Sequence, residues 1–454
     1  MENLFSLSVS SEMDHDLISK HSLSEEKLID GAARGAFEIF RPYIEGKDVL
    51  FLVGKGNNGS DALEMARLSM KIAKRVSVYA LFETGNEENM RRRKLLGDDV
   101  FVSSIPVCLD TLVDGVFGFS FRGKMSEELE ALFSQINSSS FYKIALDVPS
   151  GFSYHADATI SFMCRKREMY YPENRRKCGE IFSCNPGFPE KEYYESDTVL
   201  LNDEDYSAPS FSLFDYKNTR GHLLVFGGGG RYPGAPLLSS LSAFHAGCGL
   251  VSLCSEKSVL DRVYNSHPSI MGVEKENVYK VKNNAFLIGP GWDEGDRELI
   301  DFAMESRKPI VFDADSIKLI VKGDDFSHMA VLTPHLGEYR TLCRNLGVED
   351  GDFMDKGRRV SEMLNAVIVI KTSVVWIFYK EKAFVYDGSN PSLGVAGSGD
   401  VLSGIIGAFL SSGMDVLDSA INGVILHQKC GKTLRDKLGF YTSEDLIEEV
   451  GRQR

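Results

Sequence analysis

Residues 394–404 read Gly-Val-Ala-Gly-Ser-Gly-Asp-Val-Leu-Ser-Gly and lead directly into an apolar helical pattern. Glycines let backbone N–H groups converge on a transferred phosphate, and the positive end of the following helix adds favourable potential. Asp400 stands at the start of that helix and has two candidate roles. It is either a carboxylate that stabilises the helix dipole or a base that takes a proton from a hydroxyl attacking phosphate. The density of glycine favours the catalytic role.

The composition is that of a soluble protein with a substantial core. The chain has 454 residues with 51 basic and 65 acidic side chains, a formal net charge of -14, and 43% hydrophobic residues. This length predicts two or three folded domains. The acidic balance argues against nucleic acid and anionic membranes as partners, because both are bound through clustered Lys and Arg.

The sequence predicts a cytoplasmic protein. The charge-free stretch 232–255 is long enough to span a bilayer, but its Pro, Gly, Ser and His residues predict a buried helix with flanking loops. Glu2 and Glu12 stand where a secretory signal needs a basic region and then an apolar run.

The cysteines indicate a reducing compartment. All 8 are scattered without a C-x-x-C pair, which is typical of reduced core residues in a cytosolic chain. The densest group consists of Cys164, Cys178 and Cys184, for which a metal site is the less favoured alternative.

Both halves alternate apolar strands with helical patterns, which predicts parallel sheets with crossover helices. A polar helical opening covers residues 11–44, and a helix over 60–72 lies between the first two strands. The predicted strands are Asp48–Val53, Arg75–Leu81, Pro106–Val116, Tyr142–Val148, His222–Phe226, Val251–Cys254, Ala285–Ile288, Pro309–Phe312 and Val367–Ile370. The later predicted helices are 400–410, 417–434 and 443–450. The polar segment 202–219 indicates a connector, so the predicted domains are 1–206 and 207–454.

Three polar loops follow strands of the first half. Gly54-Lys55-Gly56-Asn57-Asn58-Gly59-Ser60-Asp61 comes after the first strand and opens a helix. Such a turn either binds an anion or nucleotide or is a tight turn with a helix cap, and its two amides and carboxylate favour binding. Asp147, near the end of its strand, is either an acid/base or a turn cap. With the loop 114–123, these segments predict a site at the carboxyl edge of the sheet.

Together these segments resemble the NAD(P)H-hydrate epimerase family. That family's glycine loop ends in N-N-G-G-D-G and its later strand in D-I-P-S-G, and residues 11–13 and 28–33 look like its opening helices. The resemblance implies an amino-terminal Rossmann-like three-layer domain that interconverts the R and S forms of hydrated NADH and NADPH, using a potassium ion. Ser60 and Ala62 depart from the family pattern, since they replace two glycines.

The resemblance also implies roles for individual residues. Asp147 is expected to be the acid/base. Asn58, Asp114 and Ser150 are expected to ligate potassium, and their amide, carboxylate and hydroxyl oxygens suit a hard alkali cation. The implied hydrate-binding residues are Asn57, Asn58, Gly59, Ser60, Asp61, Gly118, Phe119, Ser120, Phe121, Arg122, Gly123 and Lys124.

The second half resembles the ribokinase-like superfamily of small-molecule kinases through its 394–404 motif. Further segments narrow the resemblance to ATP- or ADP-dependent NAD(P)H-hydrate dehydratases over about 221–434. These segments are Gly227-Gly228, 232–236, 246–251, Gly289-Pro290-Gly291, Asp313-Ala314-Asp315 and 332–338. Thr372 departs from the family, where Lys-Gly is usual at 371–372, and the turn before Asp400 is less rich in glycine and has Ser398 in place of threonine.

In that family the hydroxyl of the S-hydrate is phosphorylated, and phosphate, a better leaving group than water, then departs to restore the dihydronicotinamide. The resemblance implies that Asp400 is the base and that Ala235, Gly291 and His335 contact the hydrate. It implies that Lys371, Gly397, Ser398 and Gly399 bind the nucleotide's phosphates, with magnesium shielding their charge. Two alternatives stay open, namely that His335 is a capping or packing histidine and that Lys371 is a surface lysine.

The combined interpretation is a bifunctional metabolite-repair enzyme of two α/β domains. The first domain epimerises the hydrates NADHX and NADPHX with K⁺, and the second, ribokinase-like domain dehydrates the S form at the expense of ADP or ATP with Mg²⁺. Family analogy favours ADP and a homo-oligomer. The alternative is a ribokinase-like small-molecule kinase whose amino-terminal domain binds ligand without catalysis.

Overall fold

The chain divides into two units in the computed structural model, which describes residues 1–119, 121, 123–188 and 194–454. The amino-terminal unit is Asn3–Ser196, and the carboxy-terminal unit consists of Met1–Glu2 and Asp197–Arg454. Residues 197–206 therefore belong to the carboxy-terminal unit, in which Thr198–Leu201 pairs with Lys382–Tyr386. The predicted boundary at 206/207 between the two activities stays a prediction.

The amino-terminal elements alternate in the predicted manner. The helices are α1 (Leu7–His21), α2 (Glu25–Phe40), α3 (Asn57–Ser69), α4 (Glu87–Arg93) and α5 (Glu127–Asn137). The strands of its sheet are β2 (Asp48–Val53), β3 (Arg75–Ala80), β4 (Thr111–Gly115), β5 (Tyr142–Leu146), β6 (Ala158–Phe162) and β7 (Glu180–Cys184), while the short strand β1 (Glu2–Leu4) precedes α1 and lies outside this sheet. Every residue of β2 is buried, as expected of a strand covered on both faces.

The sheet of the amino-terminal unit is parallel, with the strand order β3-β2-β4-β5-β6-β7. The chain moves from β2 to β3 in one direction and from β4 to β7 in the other. The strand order therefore reverses between β2 and β4, and open α/β sheets bind ligands at such a switch point, beyond the carboxyl ends of the strands. The glycine loop that follows β2 and the carboxylate of Asp114 in β4 both lie there.

The carboxy-terminal unit is a larger α/β sheet. Its strands are β8 (Thr198–Leu201), β9 (His222–Phe226), β10 (Leu250–Cys254), β11 (Met271–Val273), β12 (Ala285–Ile288), β13 (Ile310–Phe312), β14 (Ala330–Leu332), β15 (Val367–Ile370), β16 (Val375–Tyr379) and β17 (Lys382–Tyr386). Its helices are α6 (Ala235–His245), α7 (Lys257–Ser266), α8 (Arg297–Glu305), α9 (Leu336–Leu346), α10 (Phe353–Leu364), α11 (Ser398–Ser411), α12 (Val416–Leu438) and α13 (Ser443–Gln453). The order from β8 is β8-β17-β16-β15-β14-β13-β12-β9-β10-β11.

Most of this sheet is parallel; among the described pairings of β8 to β17, β16 runs antiparallel to its neighbours β15 and β17. The strand order reverses between β9 and β12, which gives the unit its own switch point. Helices α6, α11 and α12 pack their apolar residues against one core with the central strands. The predicted α/β class of both halves is confirmed.

The element bounds differ from the prediction in identifiable places. The segment predicted as strand over 106–116 is strand only from Thr111 to Gly115, because Pro106 cannot donate to a ladder and Asp110 bonds the start of β2 instead. The charge-free stretch 232–255 forms α6 and β10 rather than a membrane span. Across the described residues, no helix is both long and apolar enough to cross a membrane.

At Gly54, the loop after β2 packs directly against the backbone at the end of β4. A Cβ on this residue would lie 1.9 Å from the carbonyl oxygen of Val116, so the two backbones pass closer than any side chain allows. The N–H of Gly54 donates to the carbonyl of Gly115 at 3.1 Å, which joins the loop after β2 to the end of β4. By contrast, a Cβ on Gly56 would meet no atom within 4 Å.

We therefore expect Gly54→Ala to destabilise the amino-terminal unit by about 1–3 kcal/mol, because the added methyl group must displace backbone. Gly56→Ala is the matched control and should change the free energy of unfolding little. Urea unfolding followed by circular dichroism measures both. Equal stabilities of the two variants would contradict the close approach at Gly54.

Candidate active sites

A cavity of about 840 Å³ opens at the carboxyl edge of the amino-terminal sheet. It is bordered by α1 and α2, by the loop after β2, by the loop after β4 and by the end of β5. The sequence-predicted residues that line it are Asn57, Asn58, Asp61, Gly118, Phe119, Phe121, Lys124 and Asp147. The structure thus brings the three polar loops of the first half together in one place.

Other predicted residues lie around this cavity rather than on its wall. Gly59, Ser60 and Gly123 are not among the described residues that line it. Ser120 and Arg122 lie outside the residues that the structure describes. The Ser60 hydroxyl turns inward and donates to the carbonyl of Gly56 at 3.3 Å, and Ala62 belongs to the apolar core. Neither substituted glycine position therefore places a side chain in the cavity.

A buried hydrogen-bond network lies behind the cavity. Asp114 is fully buried, and its Oδ1 accepts from the Ser150 hydroxyl at 2.7 Å. Its Oδ2 accepts from the backbone N–H of Ser150 and from the Tyr154 hydroxyl, each at 2.9 Å. Burial raises the pKa of Asp114, and these hydrogen bonds partly oppose that rise. The backbone N–H of Phe117, a residue on the cavity wall, donates to Ser150 Oγ at 2.9 Å, so the network supports that wall.

The side chains of the three predicted potassium ligands carry oxygen atoms, which are the ligand atoms that an alkali cation prefers. The amide Nδ2 and Oδ1 of Asn58 are both buried and make no hydrogen bond with any described residue. Asn58 lies against Gly115 and Gly118, which flank the loop after Asp114. An unpartnered buried amide is costly unless something binds it. The amide oxygen of Asn58, the carboxylate of Asp114 and the hydroxyl of Ser150 therefore fit a potassium ion.

Asp147 is held at both carboxylate oxygens. Its Oδ1 lies 2.5 Å from Nζ of Lys166, and its Oδ2 accepts from the backbone N–H of Phe119 at 2.7 Å. The backbone of Asp147 is left-handed, with a φ of 69°, a conformation that non-glycine residues adopt mainly at strained or functional positions. Lys166 is fully buried and was missed by the sequence analysis. Lys166 lies four residues beyond β6 and between two arginines, so the sequence does not distinguish it from an exposed basic run, whereas Lys371 directly follows its apolar strand.

Two further carboxyl groups on the cavity wall have raised pKa values. Burial is the main cause that raises the pKa of Asp61 well above its ordinary value, and the nearby Asp147 carboxylate raises it further. Burial likewise raises the pKa of Asp14, in α1, against the lowering effect of Lys166. The sequence analysis missed Asp14, because an acidic residue in a polar helix gives no signal of what it faces.

In the carboxy-terminal unit, one lysine is surrounded by carboxylates. Lys371 follows β15, and its Nζ lies 2.7 Å from Oδ1 of the buried Asp313, which follows β13. Burial lowers the pKa of Lys371. Asp313, Glu338 and Asp400 raise it by a larger amount, so the pKa rises overall and the amine is charged. Gly399 lies beside this amine, since a Cβ there would be 3.1 Å from Nζ. Lys371 and the start of α11 therefore share one polar site.

Asp400 is half-buried in the first turn of α11. Burial raises its pKa to about 7, with Asp313 adding to the rise and Lys371 opposing it. A carboxylate with a pKa near neutrality is suited to accept a proton at physiological pH. Its position supports the role of base over that of a plain helix-dipole carboxylate, which requires no such environment.

The turn before Asp400 is fixed by its surroundings. Gly397 caps α11 with a φ of 90°, and a Cβ there would lie 2.4 Å from Leu238. His427 Nε2 lies 3.0 Å from the Ser398 carbonyl oxygen and 3.1 Å from its hydroxyl. Burial lowers the pKa of His427 to about 4, so the ring is neutral and holds Ser398 in place. The turn therefore has a fixed conformation at the N-terminus of α11, the end of a helix that favours an anion.

The predicted hydrate contacts lie at two neighbouring points of this edge. Gly291, after β12, is adjacent to Ala235 at the start of α6, since a Cβ there would be 3.0 Å from that of Ala235. His335 pairs with Lys371 through a β-bridge. Its Nδ1 accepts from the backbone N–H groups of Gly337 and Glu338, so the ring caps α9. This is the capping role that the sequence left open for His335. Its Nε2 lies 3.4 Å from Oε1 of Glu338, and 61% of the side chain is exposed.

A second cavity, of about 620 Å³, lies at the carboxy-terminal switch point. Gly228 after β9, Ser255 after β10 and Trp292 after β12 line it. The backbone N–H of Gly228 donates to the carbonyl of Pro290 at 2.9 Å, so the loops after β9 and β12 close this end together. In the described part of the chain, no group of three or more His, Cys, Asp or Glu side chains is placed to hold a metal ion.

Two family models match the chain in the order that the sequence predicts. The first is described as YjeF-related protein N-terminus and matches residues 25–167. The second is described as NAD(P)H-hydrate dehydratase and matches residues 223–452, which is half of the chain. Each model falls within one of the two units.

Curated relatives extend along nearly the whole chain. A bifunctional NAD(P)H-hydrate repair enzyme Nnr from Coxiella burnetii is 27% identical over 448 residues, which cover 90% of this chain and 91% of the relative. The protein of the same name from Archaeoglobus fulgidus is 28% identical and covers 94% of each chain. Among solved structures, a ribokinase-like superfamily protein from Enterococcus faecalis has a TM-score of 0.51 at 22% identity, covering 58% of this chain and 97% of the other.

These matches confirm the sequence-based interpretation of a hydrate-repair enzyme with an epimerase-like half and a dehydratase-like half. The structural neighbour confirms the ribokinase-like fold of the carboxy-terminal unit. Since the dehydratase model matches half of the sequence, the chain belongs to the NAD(P)H-hydrate dehydratase family.

Proposed function

We propose that this chain repairs hydrated NADH and NADPH in two steps, one in each unit. The amino-terminal unit epimerises the R and S hydrates, and the carboxy-terminal unit returns the S hydrate to the reduced dinucleotide at the expense of ADP or ATP. The observation that carries the proposal is Asp400, a half-buried carboxylate with a pKa of about 7 beside Lys371 and the glycine turn. A base and a phosphate-binding turn are the two parts that phosphorylation of an alcohol requires.

In the proposed dehydration, Asp400 takes the proton of the hydrate's hydroxyl as that oxygen attacks the terminal phosphoryl group. The turn formed by Gly397, Ser398 and Gly399 and the amine of Lys371 are proposed to stabilise the charge on the phosphates. The C–O bond then breaks with release of phosphate, the neighbouring ring carbon gives up a proton to solvent, and the ring double bond re-forms. Ala235, Gly291 and His335 are proposed to orient the hydrate.

Asp313 and Glu338 fit the role of holding a magnesium ion that arrives with the nucleotide. Both are carboxylates close to Asp400, since each raises its pKa. Mg²⁺ at phosphoryl-transfer sites is held by one or two carboxylates together with phosphate oxygens, and it shields the phosphate charge.

In the proposed epimerisation, Asp147 acts as the acid/base inside the 840 Å³ cavity. Asn57, Asn58, Asp61 and Lys124 are proposed to hold the hydrate, with Phe119 and Phe121 on the opposite loop. A potassium ion held by Asn58, Asp114 and Ser150 would contribute positive charge to the loop that carries Phe117.

The repair assay tests the whole proposal. Full-length protein with mixed NADH hydrates, Mg²⁺, K⁺ and either ADP or ATP should restore the absorbance of the reduced nicotinamide. Accumulation of a stable phosphorylated product would instead indicate a small-molecule kinase, and no recovery with either nucleotide would refute dehydration.

Asp400→Asn should lower the rate of dehydration by at least about 100-fold, because the amide cannot accept the proton. Asp315→Asn is the matched control, since Asp315 also follows β13 but pairs with Lys318. The two variants are compared in the nucleotide-dependent assay with pure S hydrate. Similar losses in both would contradict the assignment of Asp400.

The dehydration rate should depend on pH through Asp400. Because the carboxyl group accepts a proton only when ionised, kcat/KM should fall as the pH drops below about 7 and level off above it. Initial rates between about pH 5.5 and about pH 8.5, with saturating nucleotide at every pH, measure this dependence of kcat/KM on pH. A flat profile across this range would show that no group of this pKa acts as the base.

Asp147→Asn should leave repair of the S hydrate intact while the R hydrate persists beyond its spontaneous conversion. Chromatographic separation of the two hydrates over time measures both reactions in one sample. Disappearance of both hydrates at the original enzyme-dependent rate would refute the role of Asp147.

A further inference from the structure

Lys166 is a fully buried lysine at the base of the amino-terminal cavity. It follows β6, and its backbone forms a parallel β-bridge with Phe5. A lysine is almost never fully buried unless its charge is paired. The position of Lys166 therefore requires a reason beyond packing.

All three N–H groups of the Lys166 ammonium donate to acceptors inside the protein. Its Nζ donates to Asp147 Oδ1 at 2.5 Å, to the carbonyl of Phe162 at 2.8 Å and to the hydroxyl of Ser161 at 3.0 Å. An ammonium has three N–H groups, so these partners exhaust its donors. The ring of Phe119 lies over the amine, 5.1 Å from Nζ to its centroid. Lys166 is enclosed and acts through Asp147 rather than on a bound hydrate.

The ion pair determines where the carboxylate of Asp147 points. One oxygen is held by Lys166 and the other by the backbone N–H of Phe119. The left-handed backbone of Asp147 and its hydrogen bond from its own N–H to the carbonyl of Ile160 fix the start of the side chain. The carboxylate is thus restrained at both ends while it lines the cavity.

Asp147 shares its cavity with several other charged groups. The charged and titratable side chains that line the cavity with it are Asp14, His15, Glu25, Lys55, Asp61 and Lys124. Asp14 and Asp61 are the carboxyl groups whose charge interacts with that of Asp147. The amine of Lys166 is the cation in direct contact with Asp147, and it holds the carboxylate apart from these neighbours.

We propose that Lys166 is the positioning residue of the epimerase half, which holds the carboxylate of Asp147 in place and aimed into the cavity. This inference rests on the proposed acid/base role of Asp147. It assigns a function to a residue outside the glycine loop and outside the strand end that carries Asp147.

The test measures epimerisation of pure R hydrate by full-length Lys166→Gln and Lys166→Met. Glutamine keeps a hydrogen-bond donor for Ser161 and Phe162 but removes the charge, so it separates positioning from packing. Both variants should lower kcat for epimerisation at least about 100-fold and change KM less than about threefold. Ser161→Ala is the control, because it removes one partner of Lys166 and leaves the ion pair; it should lower kcat less than about threefold.

A double-mutant cycle tests whether Lys166 acts through Asp147. If it does, Lys166→Gln combined with Asp147→Asn should epimerise no more than about twofold slower than Asp147→Asn alone. Full additivity of the two losses would overturn the proposal, as would near wild-type kcat in Lys166→Gln or a loss confined to KM.

Dehydration of S hydrate by the same variants reports on the folded carboxy-terminal unit, and circular dichroism with thermal unfolding reports on the whole chain. If Lys166→Met does not fold, Lys166→Gln carries the same expectation. Absence of epimerisation in the unmodified chain would refute the proposed function itself, which is a different result from any loss in the Lys166 variants.

Discussion

Both units depend on backbone passing so close to backbone that only glycine fits. A Cβ on Gly54 would lie 1.9 Å from the carbonyl oxygen of Val116, and one on Gly289 would lie 1.8 Å from that of Asp313. Each approach joins loops at the carboxyl ends of parallel strands. The first joins the glycine loop to the strand end that carries Asp114. The second places the buried partner of Lys371, so the polar groups of each site are set by main-chain contacts made elsewhere.

The two candidate bases then experience opposite environments. The carboxylate of Asp147 lies 2.5 Å from a fully buried ammonium group, which holds one of its oxygens in place. Asp400 lies among other carboxylates, and its pKa is raised to about 7 although Lys371 opposes the rise. The first arrangement fixes the orientation of a side chain, and the second leaves a carboxylate that can accept and release a proton near neutral pH. Two aspartates at equivalent edges of related sheets thus differ in chemistry because of their neighbours.

Local signals in the sequence were sufficient for the central strands and the motif residues. β2, β9, β12 and β15 have the predicted bounds, because a strand buried on both faces is a short continuous apolar run. The edges of the sheets were harder. β8 and β17 are found only by their pairing, and the strand predicted from Pro106 begins at Thr111 because Asp110 turns to bond Asp48. The roles of Lys166 and Asp14 depend on long-range packing, which no spacing along the chain encodes.

The ion pair between Lys371 and Asp313 bears on how a nucleotide is held. A phosphate that reaches this amine does not meet a free cation, because a carboxylate already occupies it. On the proposed assignment, phosphate binding exchanges one anionic partner of the amine for another, and loss of the Asp313 contact offsets part of the gain. The proposed site would then favour release of the product phosphate over its tight retention.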